Sequence, residues 1–180
     1  LYAFMHASAE VEAWGGESVY YDDGPPNCGM PPLADPERIM SLQPPRVKDS
    51  PSLIKALDPI RLMKESAGDE VPILRVAISP FSLPAMQMGL ESYLLLIHER
   101  QDLLARLMEV NEEFTVEWGR AQVDAGTTAV VYFDPLSSPT IIPRELYLKT
   151  GFQVARRTIS RIGGPVAMHF ASGRCIPILD

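Results

Sequence analysis

The sequence has little cysteine, and what it has follows no metal-binding or disulfide pattern. Cys28 and Cys175 are the only two thiols, and no CxxC motif is present. We therefore expect no disulfide framework and a reducing, cytoplasmic environment. The first residues also lack the basic flank and the cleavage site of a secretory signal.

Long apolar runs and excess positive charge are also missing. No apolar segment approaches the roughly 18 residues that span a bilayer. The formal net charge is −7, which provides no basic surface for nucleic acid or for an anionic membrane. No GxGxxG motif follows a strand-like run, which argues against a Rossmann-type dinucleotide fold. These absences exclude membrane-spanning and nucleic-acid-binding classes.

Apolar, β-branched runs alternate with helical segments along the chain. The strand-like runs are residues 1–5, 18–21, 71–78, 128–133 and 165–168. The most regular helix has apolar residues at spacings of three and four from Leu104 to Ala125, and Gly126 ends it. Strands without polar alternation, separated by helices, predict a parallel sheet that is covered on both sides.

Other helices are predicted from start and stop signals. They are residues 8–14, segments beginning at Ser50-Pro51 and again at Asp58-Pro59, residues 82–88 and 91–98, and a helix from Pro143 to Gly163. Residues 23–45 are rich in proline and predict a long loop with at most one helical turn at residues 36–41.

The predicted fold class is α/β, a partial (β/α)8 TIM-type barrel with parallel strands. A complete barrel needs roughly 250 residues, whereas this chain has 180. We therefore expect residues 1–180 to form part of one barrel domain that is incomplete at both ends. Because unpaired sheet edges associate, the chain alone is expected to form a homodimer or to aggregate.

Four segments resemble the uroporphyrinogen decarboxylase and cobalamin-dependent methyltransferase superfamily. In chain order they are residues 6–15, 68–91, 125–143 and 168–173. The third contains Asp134-Pro135 and Ser138-Pro139, in the form found in the corrinoid methyltransferase branch. The fourth is similar to that branch's H-x-C-G zinc motif, with His169 at the histidine position and Ala171 in place of the cysteine.

The resemblance implies an activity and its cofactors. The favoured function is methyl transfer to or from a small substrate, with zinc and with a corrinoid (methylcobalamin) supplied by a partner protein or a small methyl carrier. The alternatives are uroporphyrinogen decarboxylase, in porphyrin biosynthesis, and a catalytically inactive barrel that serves as a binding module. His6 and Ala85 stand where the decarboxylases have an aspartate and a tyrosine, which disfavours decarboxylation.

The candidate site residues follow from the resemblance and from strand ends, because barrel active sites form at the carboxyl ends of the strands. Asp134 and His6 are the candidate catalytic residues, and His169 is the candidate metal ligand. A metal shared by His6, His169 and Asp134 is a further hypothesis. The candidate substrate-binding residues are Ser79, Phe81, Ser137, Ser172 and Arg174.

Overall fold

The computed structural model describes residues 1–3 and 7–179. Its strands are β1 (Ser18–Val19), β2 (Asn27–Cys28), β3 (Leu74–Ile78), β4 (Ala129–Phe133) and β5 (Val166–His169). Its α-helices are α1 (Ser8–Ala13), α2 (Pro51–Ala67), α3 (Pro84–Met88), α4 (Leu90–Glu99), α5 (Gln101–Asp124), α6 (Arg144–Lys149) and α7 (Gly151–Ile162). Short 3-10 helices span Pro36–Ser41, Val47–Asp49 and Ile176–Ile178.

The main sheet is parallel, with the strand order β3-β4-β5. Ile78, Phe133 and His169 share one register at the carboxyl ends of these strands. The N-terminal segment adds a parallel bridge between Tyr2 and Leu74 on the other side of β3. Helices connect each strand to the next, so the predicted parallel α/β arrangement is confirmed.

One apolar core lies between the sheet and helices α1, α2 and α5. The α5 side chains Phe114 and Trp118 are fully buried there, together with Val130 of β4. The apolar residues of α5, which recur every three or four positions, are therefore the ones that face this core. The helix ends where predicted, at Gly126, whose φ of +110° is a conformation that glycine adopts readily.

Two helix boundaries differ from the sequence prediction. Pro59 does not begin a second helix but lies inside α2, where buried Leu57 and Ile60 flank it. The apolar face of α2 is continuous across the proline, so packing outweighs the lost hydrogen bond. The helix predicted from Pro143 is divided at Thr150, whose hydroxyl and amide both donate to the carbonyl of Leu146.

The proline-rich residues 23–45 are mostly irregular, as predicted, and their helical turn is the 3-10 helix Pro36–Ser41. They also contribute β2, which pairs antiparallel with β1. The sequence did not predict this small hairpin, because Asn27–Cys28 is too short to show an alternating pattern. No helix in the described part of the chain is long and apolar enough to cross a membrane.

Candidate functional site at the carboxyl ends of the strands

Three of the predicted site residues lie at one edge of the parallel sheet. Ser79 directly follows β3, Asp134 directly follows β4, and β5 ends on His169. The Ser79 amide donates to the Phe133 carbonyl at 2.9 Å, and the Asp134 amide donates to the His169 carbonyl at 2.9 Å. The sheet ladder therefore brings these residues together at the edge where barrel enzymes place their sites.

Asp134 is the centre of a buried hydrogen-bonded group that we call the serine–aspartate cluster, formed by Ser79, Ser82, Asp134 and Ser137. The hydroxyls of Ser79 and Ser82 donate to Oδ1 of Asp134 at 2.6 and 2.7 Å. The Ser137 hydroxyl donates to Oδ2. The cluster thus joins the segment after β3 to the segment after β4.

The Asp134 carboxyl is fully buried, although the sequence predicts it as a catalytic residue at the carboxyl ends of the strands. Burial raises its pKa, and the hydrogen bonds from Ser137, Ser79 and Ser82 act in the opposite direction. Because both of its oxygens already accept hydroxyl hydrogen bonds, this carboxyl is built to hold neighbouring segments in place.

Ser82 is the member of the cluster that the sequence reasoning missed. Its amide donates to the Ser79 hydroxyl at 2.9 Å, and its own hydroxyl accepts the Leu136 amide at 3.1 Å. The sequence feature that could have identified it is its position three residues after Ser79, directly beyond the end of β3. Such spacing is typical of a turn in which a serine oxygen accepts a backbone N–H.

The other candidate substrate-binding residues are dispersed. Phe81 is fully buried, and its ring centroid lies 5.8 Å from that of Tyr93 in a second apolar core. Ser172 and Arg174 are exposed, and the Arg174 amide donates to the Thr140 hydroxyl. Ser172 and Arg174 therefore lie at the surface, and Phe81, in the same turn as Ser79 and Ser82, has its ring in the core.

His169 is exposed at the end of β5, and its ring centroid lies 5.4 Å from that of Phe133. Its Nδ1 accepts the amide hydrogen of Ala171 at 3.1 Å. Ala171 has a φ of +53°, the one positive value at a non-glycine residue in the described ranges. The turn after β5 therefore engages the lone pair of Nδ1 and leaves the proton of the neutral imidazole on Nε2.

The residues described here do not fit a zinc ion as they are arranged. No group of three histidine, cysteine, aspartate or glutamate side chains within residues 1–3 and 7–179 is placed to hold a metal. A neutral imidazole that accepts at Nδ1 has its proton on Nε2, so in this rotamer neither nitrogen of His169 offers a lone pair. Asp134 is likewise engaged. His6 lies outside the described residues.

A partly open cavity of about 170 Å³ lies beside the sheet, and we call it the interior cavity. Its strand-side lining is mostly apolar and consists of Ala3, Val76, Ile78, Val131, Phe133 and His169. Glu10 of α1 and Arg75 of β3 also line it, and they are only 5% and 4% exposed. His169, the metal ligand that the sequence predicts, thus lines the same cavity as two buried ionisable side chains.

The Glu10 carboxyl accepts a hydrogen bond from the backbone of β3, on the side of this strand that faces away from β4. The Ile78 amide lies 3.1 and 3.3 Å from its two oxygens. Burial raises the pKa of Glu10 to about 8, and the Ile78 hydrogen bond and the Arg75 charge only partly offset this. Neither Glu10 nor Arg75 was predicted as a site residue, although a lone arginine within an apolar strand was a visible signal.

Comparisons with known proteins identify the family. The family model described as uroporphyrinogen decarboxylase (URO-D) matches residues 1–180. A uroporphyrinogen decarboxylase of Bordetella parapertussis is 27% identical over 154 residues, which cover 82% of this chain and 40% of that enzyme. The methylcobamide:CoM methyltransferase MtaA of Methanosarcina barkeri is 24% identical over 91 residues, covering 51% of this chain and 27% of that protein.

Among solved structures, a methyltransferase from Methanosarcina mazei superposes with a TM-score of 0.76 at 18% identity. The match covers 94% of this chain and 50% of that structure, and it supports the predicted fold class of a partial TIM-type barrel. The chain spans about 40% of the decarboxylase and half of the methyltransferase structure. On the family match over all of its residues, the chain belongs to the uroporphyrinogen decarboxylase (URO-D) family.

Proposed function

We propose that this chain is part of a corrinoid-dependent methyltransferase that acts on a small substrate. The observation that carries the proposal is the segment after β4, whose Asp134-Pro135 and Ser138-Pro139 pairs have the form of the methyltransferase branch. In the structure the serine–aspartate cluster holds this segment against the segment after β3. Relatives named as methylcobamide:CoM methyltransferases support the same reading.

The corrinoid, carried by a partner protein, would supply the methyl group as an electrophilic carbon. This chain's own residues would bind and orient the second substrate at the carboxyl ends of the strands. His169, with Nδ1 already accepting a hydrogen bond, presents an N–H at Nε2 when neutral and would donate it to the substrate. Asp134 is the positioning residue, because its oxygens bond to three serines.

Uroporphyrinogen decarboxylation is the second candidate, and the alignment over 82% of the chain favours it. The two activities are separable in one preparation of the protein at its full natural length. We would follow loss of the methyl group from methylcobalamin with 2-mercaptoethanesulfonate as acceptor, and decarboxylation of uroporphyrinogen in parallel. Methyl transfer without decarboxylation is the expected result. The reverse outcome would assign the decarboxylase, and neither activity would favour an inactive binding module.

The role of His169 has a matched control in His98, which is also exposed but lies on α4 outside the interior cavity. His169→Ala should lower kcat/KM for methyl transfer by roughly 10- to 100-fold, as expected for the loss of one hydrogen bond to a reacting group. His98→Ala should leave it unchanged. Equal activity of the two variants would remove His169 from the proposed mechanism.

A further inference from the structure

Phe133 is an aromatic residue that packs into neither apolar core of the described part of the chain. It ends β4, the central strand of the parallel sheet, and its ring is half-buried. Val130 of the same strand is fully buried in the core beside α5, whereas Phe133 belongs to neither core. Because residues 130 and 133 point to opposite faces of a strand, the ring of Phe133 projects away from α5. Packing of the described core therefore does not account for an aromatic side chain at this position.

The ring of Phe133 lies instead against the imidazole of His169. The two residues are partners in the parallel register of β4 and β5. Their ring centroids are 5.4 Å apart and their planes are inclined by 32°, which is within the distance range of favourable aromatic pairs. A contact of this kind favours the paired rotamer by roughly 2- to 10-fold over the alternatives.

The Ala171 amide provides a second contact to the same imidazole, because it donates to Nδ1 at 3.1 Å. Ala171 has a φ of +53°, which a non-glycine residue retains only where its surroundings hold it. The turn is tied down at its far end, where the Arg174 amide donates to the Thr140 hydroxyl at 2.9 Å. The donor to Nδ1 is therefore held in place by the backbone of the turn.

His169 needs both contacts to hold one orientation, because it is exposed and has two rotatable side-chain torsions. The hydrogen bond at Nδ1 fixes the position of one ring atom, and the ring of Phe133 restricts the plane of the imidazole. Together they determine the direction of the Nε2–H group. Orientation matters for a reacting group, since a displacement of about 1 Å can cost on the order of 100-fold in rate.

We propose that Phe133 is a positioning residue of the candidate site and acts through His169. Its ring holds the plane of the imidazole, so that Nε2–H is directed at the substrate. The effect on catalysis rests on the proposed methyl transfer, whereas the effect on the orientation of His169 does not. The alternative role for Phe133 is simple filling of the barrel interior, where bulky side chains are usual.

A double-mutant cycle in the protein at its full natural length separates these two roles. Phe133→Leu should lower kcat/KM for transfer from methylcobalamin to 2-mercaptoethanesulfonate by roughly 2- to 10-fold. In the His169→Ala background the same substitution should have no effect, because the imidazole through which it acts is absent. A loss of equal size in both backgrounds would show that the ring only fills space, and it would overturn the proposal.

Two further variants make the kinetic test specific. Phe133→Tyr keeps the aromatic ring and should retain the unsubstituted kcat/KM. Phe152→Leu is the matched control, because Phe152 also lies beside an aromatic ring, that of Tyr147 at 6.1 Å, but on α7 away from His169. It should leave kcat/KM unchanged. A loss in Phe152→Leu as large as in Phe133→Leu would contradict a specific role for Phe133.

Crystal structures of the full-length protein, unsubstituted and with Phe133→Leu, measure the orientation of His169 without any turnover. We expect one imidazole orientation, bonded to the Ala171 amide, in the unsubstituted protein and more than one in the variant. Phe133→Met, which fills the space with a flexible chain, takes its place if Phe133→Leu does not fold. A single, unchanged orientation in the variant would overturn the proposal. Displacement of the imidazole, together with absence of methyl transfer by the unsubstituted protein, would support the positioning role and refute only the proposed function.

Discussion

At the scale of single residues, Glu10 links the interior cavity to the pH dependence of stability. Its ordinary pKa is 4.5, and burial raises it to about 8 in the folded chain. The folded state therefore favours the protonated carboxyl. Its contribution to the free energy of unfolding is complete below about pH 4.5 and is lost as the pH rises through about 8.

Glu10→Gln should remove this pH dependence while keeping an oxygen that accepts the Ile78 amide. We expect the variant to exceed the unsubstituted protein in stability above pH 8, by roughly 1 kcal/mol for each pH unit between the pKa of the unfolded and the folded carboxyl. Urea unfolding at intervals from pH 5 to about 9 measures it. Glu65→Gln, on the exposed side of α2, is the control. An identical pH profile for Glu10→Gln and the unsubstituted protein would contradict the prediction.

The residues of the site were only partly predictable from the sequence. The hydrophobic pattern predicts that Ser79, Asp134 and His169 lie at strand ends. Parallel pairing then predicts that these three residues lie at the same edge of the sheet. The burial of Asp134 does not, because it requires Ser82 and Ser137 to converge from two segments 55 residues apart along the chain. Arg75 and Glu10 lie 65 residues apart, and only tertiary packing reveals their common cavity.

At the scale of elements, the start of α7 supports the serine–aspartate cluster. Gly151 is the first residue of α7, and a Cβ built there would lie 2.4 Å from the Cβ of Ser137. No side chain fits in this space unless Ser137 moves, and Ser137 is held by Asp134. The close approach of α7 to the segment after β4 therefore depends on glycine at this position.

Gly151→Ala should lower the free energy of unfolding by roughly 1–3 kcal/mol, the usual range for overpacking a buried site. The gain in helix propensity from alanine is smaller than this. Gly24→Ala is the matched control, because a Cβ at Gly24 meets no atom within 4 Å. Thermal or chemical unfolding of both variants measures the difference, and a Gly151→Ala protein as stable as Gly24→Ala would show that Ser137 can move freely.

Elements with a long apolar pattern were predicted well, and short or composite ones were not. α5 has 24 residues with a continuous buried face, so local spacing alone identifies it. α2 was divided in the prediction because Asp58-Pro59 is a helix-start signal, yet buried residues on both sides of Pro59 keep the helix continuous. The break at Thr150 lies in its backbone, whose φ of −120° and ψ of −87° are not helical, and the apolar pattern does not reveal such a local change.

At the scale of the whole molecule, β5 is one of the two outer strands of the three-stranded sheet. Its residues are exposed or half-buried, and Met168 has 40% of its surface exposed. An outer strand with apolar exposed side chains pairs readily with another chain. We predict that the 180-residue chain expressed alone self-associates, as a dimer or as larger aggregates.

Sedimentation velocity over a range of concentrations checks this prediction. Met168→Lys should shift the distribution toward monomer, because an outer-strand lysine disfavours edge pairing. Met40→Lys, at an exposed position in the 3-10 helix Pro36–Ser41, controls for the added charge. A cooperative melt that is independent of concentration, with a monomeric sedimentation coefficient, would show that this edge is stable in solution.

The fold class was the most predictable property of the molecule. Parallel pairing follows from apolar strands that alternate with helices, and the family resemblance followed from four motifs in order. Which chemistry the family member performs was not predictable to the same degree, because the residues that separate the two branches are few. Among them, His6 departs from the decarboxylase pattern and Ala171 departs from the methyltransferase motif, so each branch lacks one of its characteristic residues here.

The serine–aspartate cluster has a consequence for motion. The segment after β3 cannot open without breaking the bonds from Ser79 and Ser82 to Asp134, and the segment after β4 depends on the same carboxyl. The two segments therefore open as one cooperative unit, and their slowest amide protons should exchange with solvent at a common rate. A ligand that contacts and orders only one segment should therefore also slow amide exchange in the other segment.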